Sequence, residues 1–269
     1  MPELTPDQRA DVAERLALPE FPRTQAYDPV WQLENLMGPN ALWLTEALTG
    51  EMGLRPGMRV LDLGCGKGLS SVFLAREFGV QVWAADLWIQ PHENWERFRA
   101  ADVGDRVCPI FAEAHALPFA HGFFDAIVSI DAYHYFGTSE LYTETIARFL
   151  APGGQIGIAV PGLTREIGDG LPAHIAPYWE PAFWSFHSAG WWRALWERTG
   201  PLAVGHAEMV PGGWRHWLLW QEVCRDAGFR YDPRELEMLK QDRGELLGFV
   251  RMVGRRPGQG GDPGGIAPG

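Results

Sequence analysis

The stretch "VLDLGCGKGLSSVFLA", residues 60 to 75, places Gly64, Gly66 and Gly68 at alternate positions straight after an apolar run, with Cys65 between the first two. Glycine weakens regular structure by roughly 0.5–1 kcal/mol per residue relative to alanine, so three in five positions need a local reason. A turn that brings backbone close to a ligand supplies one. Asp62 stands two positions before the first glycine. A pyrophosphate would be repelled by that carboxylate, whereas a positively charged amino-acid end would be held by it. The next apolar run, "VQVWAADLW", carries Asp86 18 residues beyond Gly68. A carboxylate there can accept hydrogen bonds from the two hydroxyls of a ribose.

A ribose, no pyrophosphate and a cationic tail together describe S-adenosylmethionine. The chemistry such a ligand brings is displacement at a sulfonium methyl, which the protein promotes mainly by alignment, worth roughly 7–11 kcal/mol. A base is required only where the acceptor loses a proton. The segment "SIDAYHYFG" offers Tyr133, His134 and Tyr135. His134 is the expected base, an imidazole ordinarily titrating near neutrality, with Tyr133 or Tyr135 orienting the acceptor.

These residues must be positioned by an alternating pattern. Strands are expected at 59–63, 81–86, 107–111, 126–130 and 155–160, with helices near 69–77, 93–101 and 139–150. Alternation at this spacing means crossover connections and a parallel sheet. Near-continuous apolar runs mean a sheet covered on both faces. Asp86 and the Tyr-His-Tyr cluster then fall at the carboxyl edge, where ligands gather in such folds. "APGG" at 151–154 reads as a tight turn. Thr5 and Pro6 mark the start of a first helix, and helical periodicity resumes on both sides of Gly38-Pro39.

Two flanking segments are expected to roof the site. The first contains Tyr27, Trp31 and Asn40. The second follows residue 160 and is rich in aromatics, since eight of the 13 tryptophans lie beyond residue 178. Trp179, Trp184 and His187 fall outside any regular period and are the substrate-binding candidates there. Trp191, Trp192, Trp196, Trp214, Trp217 and Trp220 recur at helical spacing and read as packing residues.

The motifs "VLDLGCGKG", "VWAADL", "AEAHALPFAHGFFDAIVSIDAYHYF" and "LAPGGQIGIAV", within residues 55–160, resemble the class I S-adenosylmethionine-dependent methyltransferases. Their nearest likeness is to the ubiquinone/menaquinone-type and sarcosine/dimethylglycine-type enzymes. The resemblance implies an α/β, Rossmann-like, seven-stranded sheet, mostly parallel with an antiparallel last strand and helices on both faces. It implies that Gly64, Cys65, Gly66 and Gly68 line the methionine portion of S-adenosyl-L-methionine, with Asp62 helping to hold its ammonium. Asp86 would take the ribose hydroxyls and Leu87 would pack on the adenine. Glu113 and Ala114 match the positions that recognise the adenine edge, and Asp131 and Ala132 those beside the methionine end. Lys67 departs from the small or polar residue usual at its position and is expected to point outward. The expected organisation is a helical cap over 1–54, a methyltransferase domain over 55–256 with additions at 161–200 and 211–243, and a disordered Gly/Pro-rich tail over 257–269.

The formal net charge of −11, with no Lys/Arg cluster, argues against a nucleic-acid partner. No apolar run nears the roughly 18 residues of a membrane span, and the polar N-terminus is unlike a signal peptide, so the cytoplasm is the expected compartment. The three cysteines are widely spaced, so no zinc or disulfide framework is expected, and Cys108 and Cys224 read as core residues. The histidines show no metal spacing. The expected partner is a small-molecule acceptor carrying an amine, hydroxyl or thiol, with a homodimer left open. Cyclopropanation of a lipid chain, a non-catalytic S-adenosylmethionine-binding protein and a nicotinamide-dependent oxidoreductase are the competing readings.

Overall fold

The segment RVLDL forms β1 (Arg59–Leu63), whose last four residues are all buried. That is why it reads as an unbroken apolar run and why it lies in the middle of the sheet. A computed structural model describes residues 2–168 and 170–258. β1 pairs in parallel with β2 (Gln81–Asp86) on one side and with β4 (Phe124–Ile130) on the other. β3 (Val107–Phe111) extends the sheet beyond β2, and β5 (Leu150–Leu163) extends it beyond β4. The antiparallel β8 (Leu247–Arg255) follows β5, and β7 (Ala203–Met209) closes that edge. The order β3-β2-β1-β4-β5-β8-β7 reverses direction between β1 and β4, the switch point at which a crevice opens beyond the strand ends.

This is the expected Rossmann-like α/β sheet, mostly parallel with an antiparallel last strand, β8. The two-residue β6 (His187–Ser188), beside β5, makes an eighth strand. Helices α4 (Leu69–Phe78), α5 (Pro91–Ala100), α6 (Tyr142–Ala147) and α7 (Ala189–Thr199) make crossovers or edge cover. Two apolar clusters occupy the two faces: Phe73, Phe98 and Val128 belong to one, Ile127, Tyr133 and Trp196 to the other.

A third cluster joins the N-terminal helices to the C-terminal half. Val12 and Leu16 of α1 (Pro6–Leu16), Leu33 of α2 (Pro29–Glu34) and Trp43 of α3 (Ala41–Thr49) pack with Trp220 and Val223 of α8 (Gly213–Asp226). α9 (Pro233–Asp242) lies against α8. Thr5 caps α1 as its sequence suggests, its side chain accepting from Gln8 N while the Gln8 side chain accepts from Thr5 N.

Three local expectations change. The segment at 151–154 lies inside β5 as an irregularity: register shifts between Phe124 and Ala126, and Gly153 takes φ +79°. Cys108 is exposed on the edge strand β3, whereas Cys224 is buried. The helix expected over 139–150 shrinks to α6, because Leu150 is already paired with Phe124. Most of the 257–269 tail lies outside the described residues.

Candidate functional site

The β1–β2 register sets Leu63 beside Ala85, so Asp86 stands one residue further, level with the glycine turn. The N–H groups of Gly64 and Cys65 both donate to the Ala85 carbonyl, at 2.8 and 3.2 Å. Asp86 Oδ2 accepts the Gly66 N–H at 2.8 Å. Its Oδ1 accepts the N–H groups of Trp88 and Ile89 at 2.7 and 2.9 Å. A carboxylate offers about four acceptor sites, so three internal donors leave room for one ribose hydroxyl without loss of a backbone bond. Gly64 takes φ +74°, and a Cβ there would overlap the Ala132 side chain, so glycine is needed both for conformation and for space.

Asp62 lies beneath this turn and is fully buried. Its Oδ2 accepts from Ser70 Oγ and Ser71 Oγ, both at 2.6 Å, at the start of α4, where the helix terminus favours negative charge. Burial pushes its carboxyl up to about 6, against the hydrogen bonds from those serines. Asp62 does not reach the cavity wall, so any hold on an ammonium is indirect. Gly68 also stays out of the wall: it caps α4 in a left-handed conformation with Phe98 packed against it.

A cavity of about 330 Å³ opens over the turn, within the size range of small-molecule sites. Its wall includes Gly64, Cys65, Gly66, Asp86, Leu87, Glu113, Ala114, Asp131, Ala132 and Tyr135. Nine of the eleven cofactor-site residues inferred from sequence thus meet in one cavity, with Asp62 and Gly68 behind it. Glu113 accepts from the His115 N–H at 2.8 Å and faces its Nδ1 at 2.7 Å. Asp131, at φ +52°, follows β4 directly in a conformation that costs a non-glycine residue energy. Burial, reinforced by nearby Glu235, pushes its carboxyl well above the ordinary range.

The Tyr-His-Tyr cluster divides. Tyr135 lines the cavity, 57% exposed, with its ring 6.0 Å from that of Trp88. Tyr133 is fully buried, packed edge-on to Phe136, Tyr142, Trp192 and Trp196. His134 is 2% exposed, lies outside the cavity wall, and packs against Tyr135 and Phe186. The near-neutral titration expected of it does not hold: burial pulls its imidazole down to about 3. At neutral pH it is uncharged and a poor base.

The roofing residues are also redistributed. Tyr27 is buried, stacked on Phe73 and Trp31, its hydroxyl donating to Glu77. Asn40 caps α3, accepting from Leu42 N and Trp43 N. Trp179 packs edge-on to Trp184, and His187 stacks on Trp191 beside Glu166. None of these lines the cavity. The roof comes from the turn after α2: Asn35, Met37, Gly38, Pro39 and Ala41. A Cβ on Gly66 would sit 2.8 Å from Met37 Sδ, and one on Gly38 would overlap the Asp131 carboxylate. Trp220 Nε1 on α8 donates to the Gly38 carbonyl at 2.9 Å, fixing that turn from behind. The Gly-Pro pair in "LMGPN" was its only sequence signal. Lys67, expected to point outward, lines the cavity and donates from Nζ to the Glu34 carbonyl at 3.2 Å. Among the described residues, no helix is long and apolar enough to cross a membrane.

A glycine turn over a parallel switch point, an acid at the tip of β2 and a cavity above them define a Rossmann-like α/β protein. Residues 60–154 match the family described as methyltransferase domain, and the motifs within them are similar to those of the class I methyltransferases that use S-adenosyl-L-methionine. A 27-O-demethylrifamycin SV methyltransferase from Amycolatopsis mediterranei is 32% identical over 49% of this chain and 54% of its own. The chain spans about half the length of the curated relatives it matches. The fold is similar to geranyl diphosphate C-methyltransferase from Streptomyces coelicolor, solved with S-adenosyl-L-homocysteine, at TM-score 0.66, 18% identity and 94% and 100% coverage of the two chains. It is also similar to phosphoethanolamine N-methyltransferase 2 from Haemonchus contortus, solved with S-adenosyl-L-methionine, at TM-score 0.68, 19% identity and coverage of 91% and 60%.

Proposed function

We propose that this chain transfers the methyl group of S-adenosyl-L-methionine to a small-molecule acceptor bearing an amine, hydroxyl or thiol. The supporting observation is the single cavity that joins Gly64, Gly66, Asp86, Glu113 and Asp131. In this reading Asp86 grips one ribose hydroxyl, Leu87 and Ala114 flank the adenine, and Asp131 holds the ammonium of the amino-acid end. When bound, the cofactor supplies an activated sulfonium methyl. The residues of the chain then align the acceptor and exclude water. Tyr135 and Trp88 form the aromatic rim on which an acceptor would rest. Alignment carries most of the rate, and the proton that the acceptor loses passes to solvent rather than to the buried His134, a poor base at neutral pH.

Calorimetric titration with S-adenosylhomocysteine tests the binding half, with micromolar affinity expected. Incubation with S-adenosylmethionine and panels of amines, phenols and thiols tests the transfer half, with acceptor-dependent release of S-adenosylhomocysteine expected. Binding without release for any acceptor would make the chain a binding protein rather than a transferase.

A further inference from the structure

The charged groups on the cavity wall are Lys67, Asp86, Glu113, His115 and Asp131. Asp86 is occupied by three backbone N–H groups, and Glu113 pairs with His115. Lys67 and Asp131 remain, and neither makes an ion pair among the described residues. The backbone donors of the turn are also committed. Gly64 and Cys65 donate to Ala85, Gly66 to Asp86, and Gly68 to Cys65. An anion entering here cannot be held by those four N–H groups, as it would be at an open helix N-terminus.

Lys67 has the missing donors. Its Nζ spends one hydrogen on the Glu34 carbonyl, at the C-terminal end of α2, and an ammonium carries three. The amino-acid end of an S-adenosyl compound is a zwitterion, with one ammonium for Asp131 and one carboxylate for a cation. We propose that Lys67 Nζ binds the carboxylate of the cofactor's amino-acid end while keeping its bond to Glu34, so that occupancy of the cavity tightens the 35–41 turn over it. The inference rests on the reading of the cavity as an S-adenosyl site. Burial, with Arg97 and Arg230 nearby and against the opposing pull of Glu93, holds the Lys67 ammonium below its ordinary range.

The test compares Lys67→Met and Lys67→Arg with the unaltered chain by calorimetry. The ligands are S-adenosylhomocysteine and its decarboxylated analogue, S-adenosyl-3-thiopropylamine, which keeps the ammonium. Lys67→Met is expected to weaken S-adenosylhomocysteine about tenfold or more and to leave the analogue within about twofold, with Lys67→Arg retaining most of the affinity. S-adenosylhomocysteine should also protect the 35–41 turn from proteolysis in the unaltered chain and not in Lys67→Met. Equal affinities for S-adenosylhomocysteine in all three proteins, or equal weakening of both ligands, would overturn the carboxylate role. An unaltered chain that binds neither ligand would instead overturn the S-adenosyl reading, and this inference with it.

Discussion

The backbone N–H of Gly66 donates to Oδ2 of Asp86 at 2.8 Å, so the glycine turn and the tip of β2 are tied together. The same carboxylate fixes the turn into α5 through Trp88 and Ile89. A residue assigned to ribose binding is therefore also the organiser of the loop that surrounds it.

Asp86→Ala should weaken S-adenosylhomocysteine binding by roughly 1.5–3 kcal/mol, the scale for hydrogen bonds to a charged group. It should also lower Tm, by roughly 2–4 °C per kcal/mol in a chain of this size, because three backbone N–H groups lose their acceptor. Calorimetry and a thermal melt check both. Unchanged affinity with a lowered Tm would leave Asp86 an organiser alone.

Gly66→Val should abolish measurable binding while leaving far-UV circular dichroism close to that of the unaltered chain. A Cβ at this position meets Met37 Sδ at 2.8 Å, and φ of +53° is unfavourable for a branched residue. Adding Met37→Ala should relieve the contact and not the backbone strain, so the double variant should regain at most part of the affinity. Full recovery would show that the strain at 66 is immaterial.

The positions of the first five strands and of the residues on the cavity wall were legible because each depends on local pattern. Gly64, Gly66 and Asp86 announce themselves by spacing from an apolar run, and register then brings them together. The roof was not legible in the same way. Met37 and Gly38 reach the site through packing of α2, α3 and α8 in a separate apolar cluster. Tyr27, Trp179 and His187 carried suggestive side chains, but an aromatic ring serves a core as well as a pocket. His134 failed for a related reason: its position past β4 was right, while its burial depends on Phe186, far along the chain.

His134 should remain neutral across the working range. Its Nδ1 is buried without a partner and burial holds its pKa near 3. The Cε1 carbon resonance of His134, assigned through His134→Gln, should show no titration between pH 5 and 8. His134→Gln should leave S-adenosylhomocysteine affinity within about twofold. A midpoint near 6.5 would restore the imidazole as a candidate base.

Glu235 on α9 offers a pH test of the region behind Asp131. Its Oε1 accepts from Trp217 Nε1 at 2.7 Å and from the Gln221 amide. Burial pushes its carboxyl up to about 7, against the hydrogen bond from Trp217. The folded state therefore holds this proton more tightly than the unfolded chain, where a glutamate titrates near 4.3. Stability contributed by the protonated form is complete below the unfolded value and is lost as pH rises through about 7. A shift of this kind corresponds to about 1–3 kcal/mol once partial exposure is allowed for. Glu235→Gln keeps an acceptor for Trp217 and removes the charge. Its Tm relative to the unaltered chain should accordingly rise by several degrees between pH 5 and pH 8. Asp131, freed of a neighbouring negative charge, should ionise more readily in the variant, so S-adenosylhomocysteine should bind at least as tightly at pH 7. A Tm difference that stays flat across this range would mean that Glu235 is ionised in the folded protein at pH 5, and the account of its burial would fail.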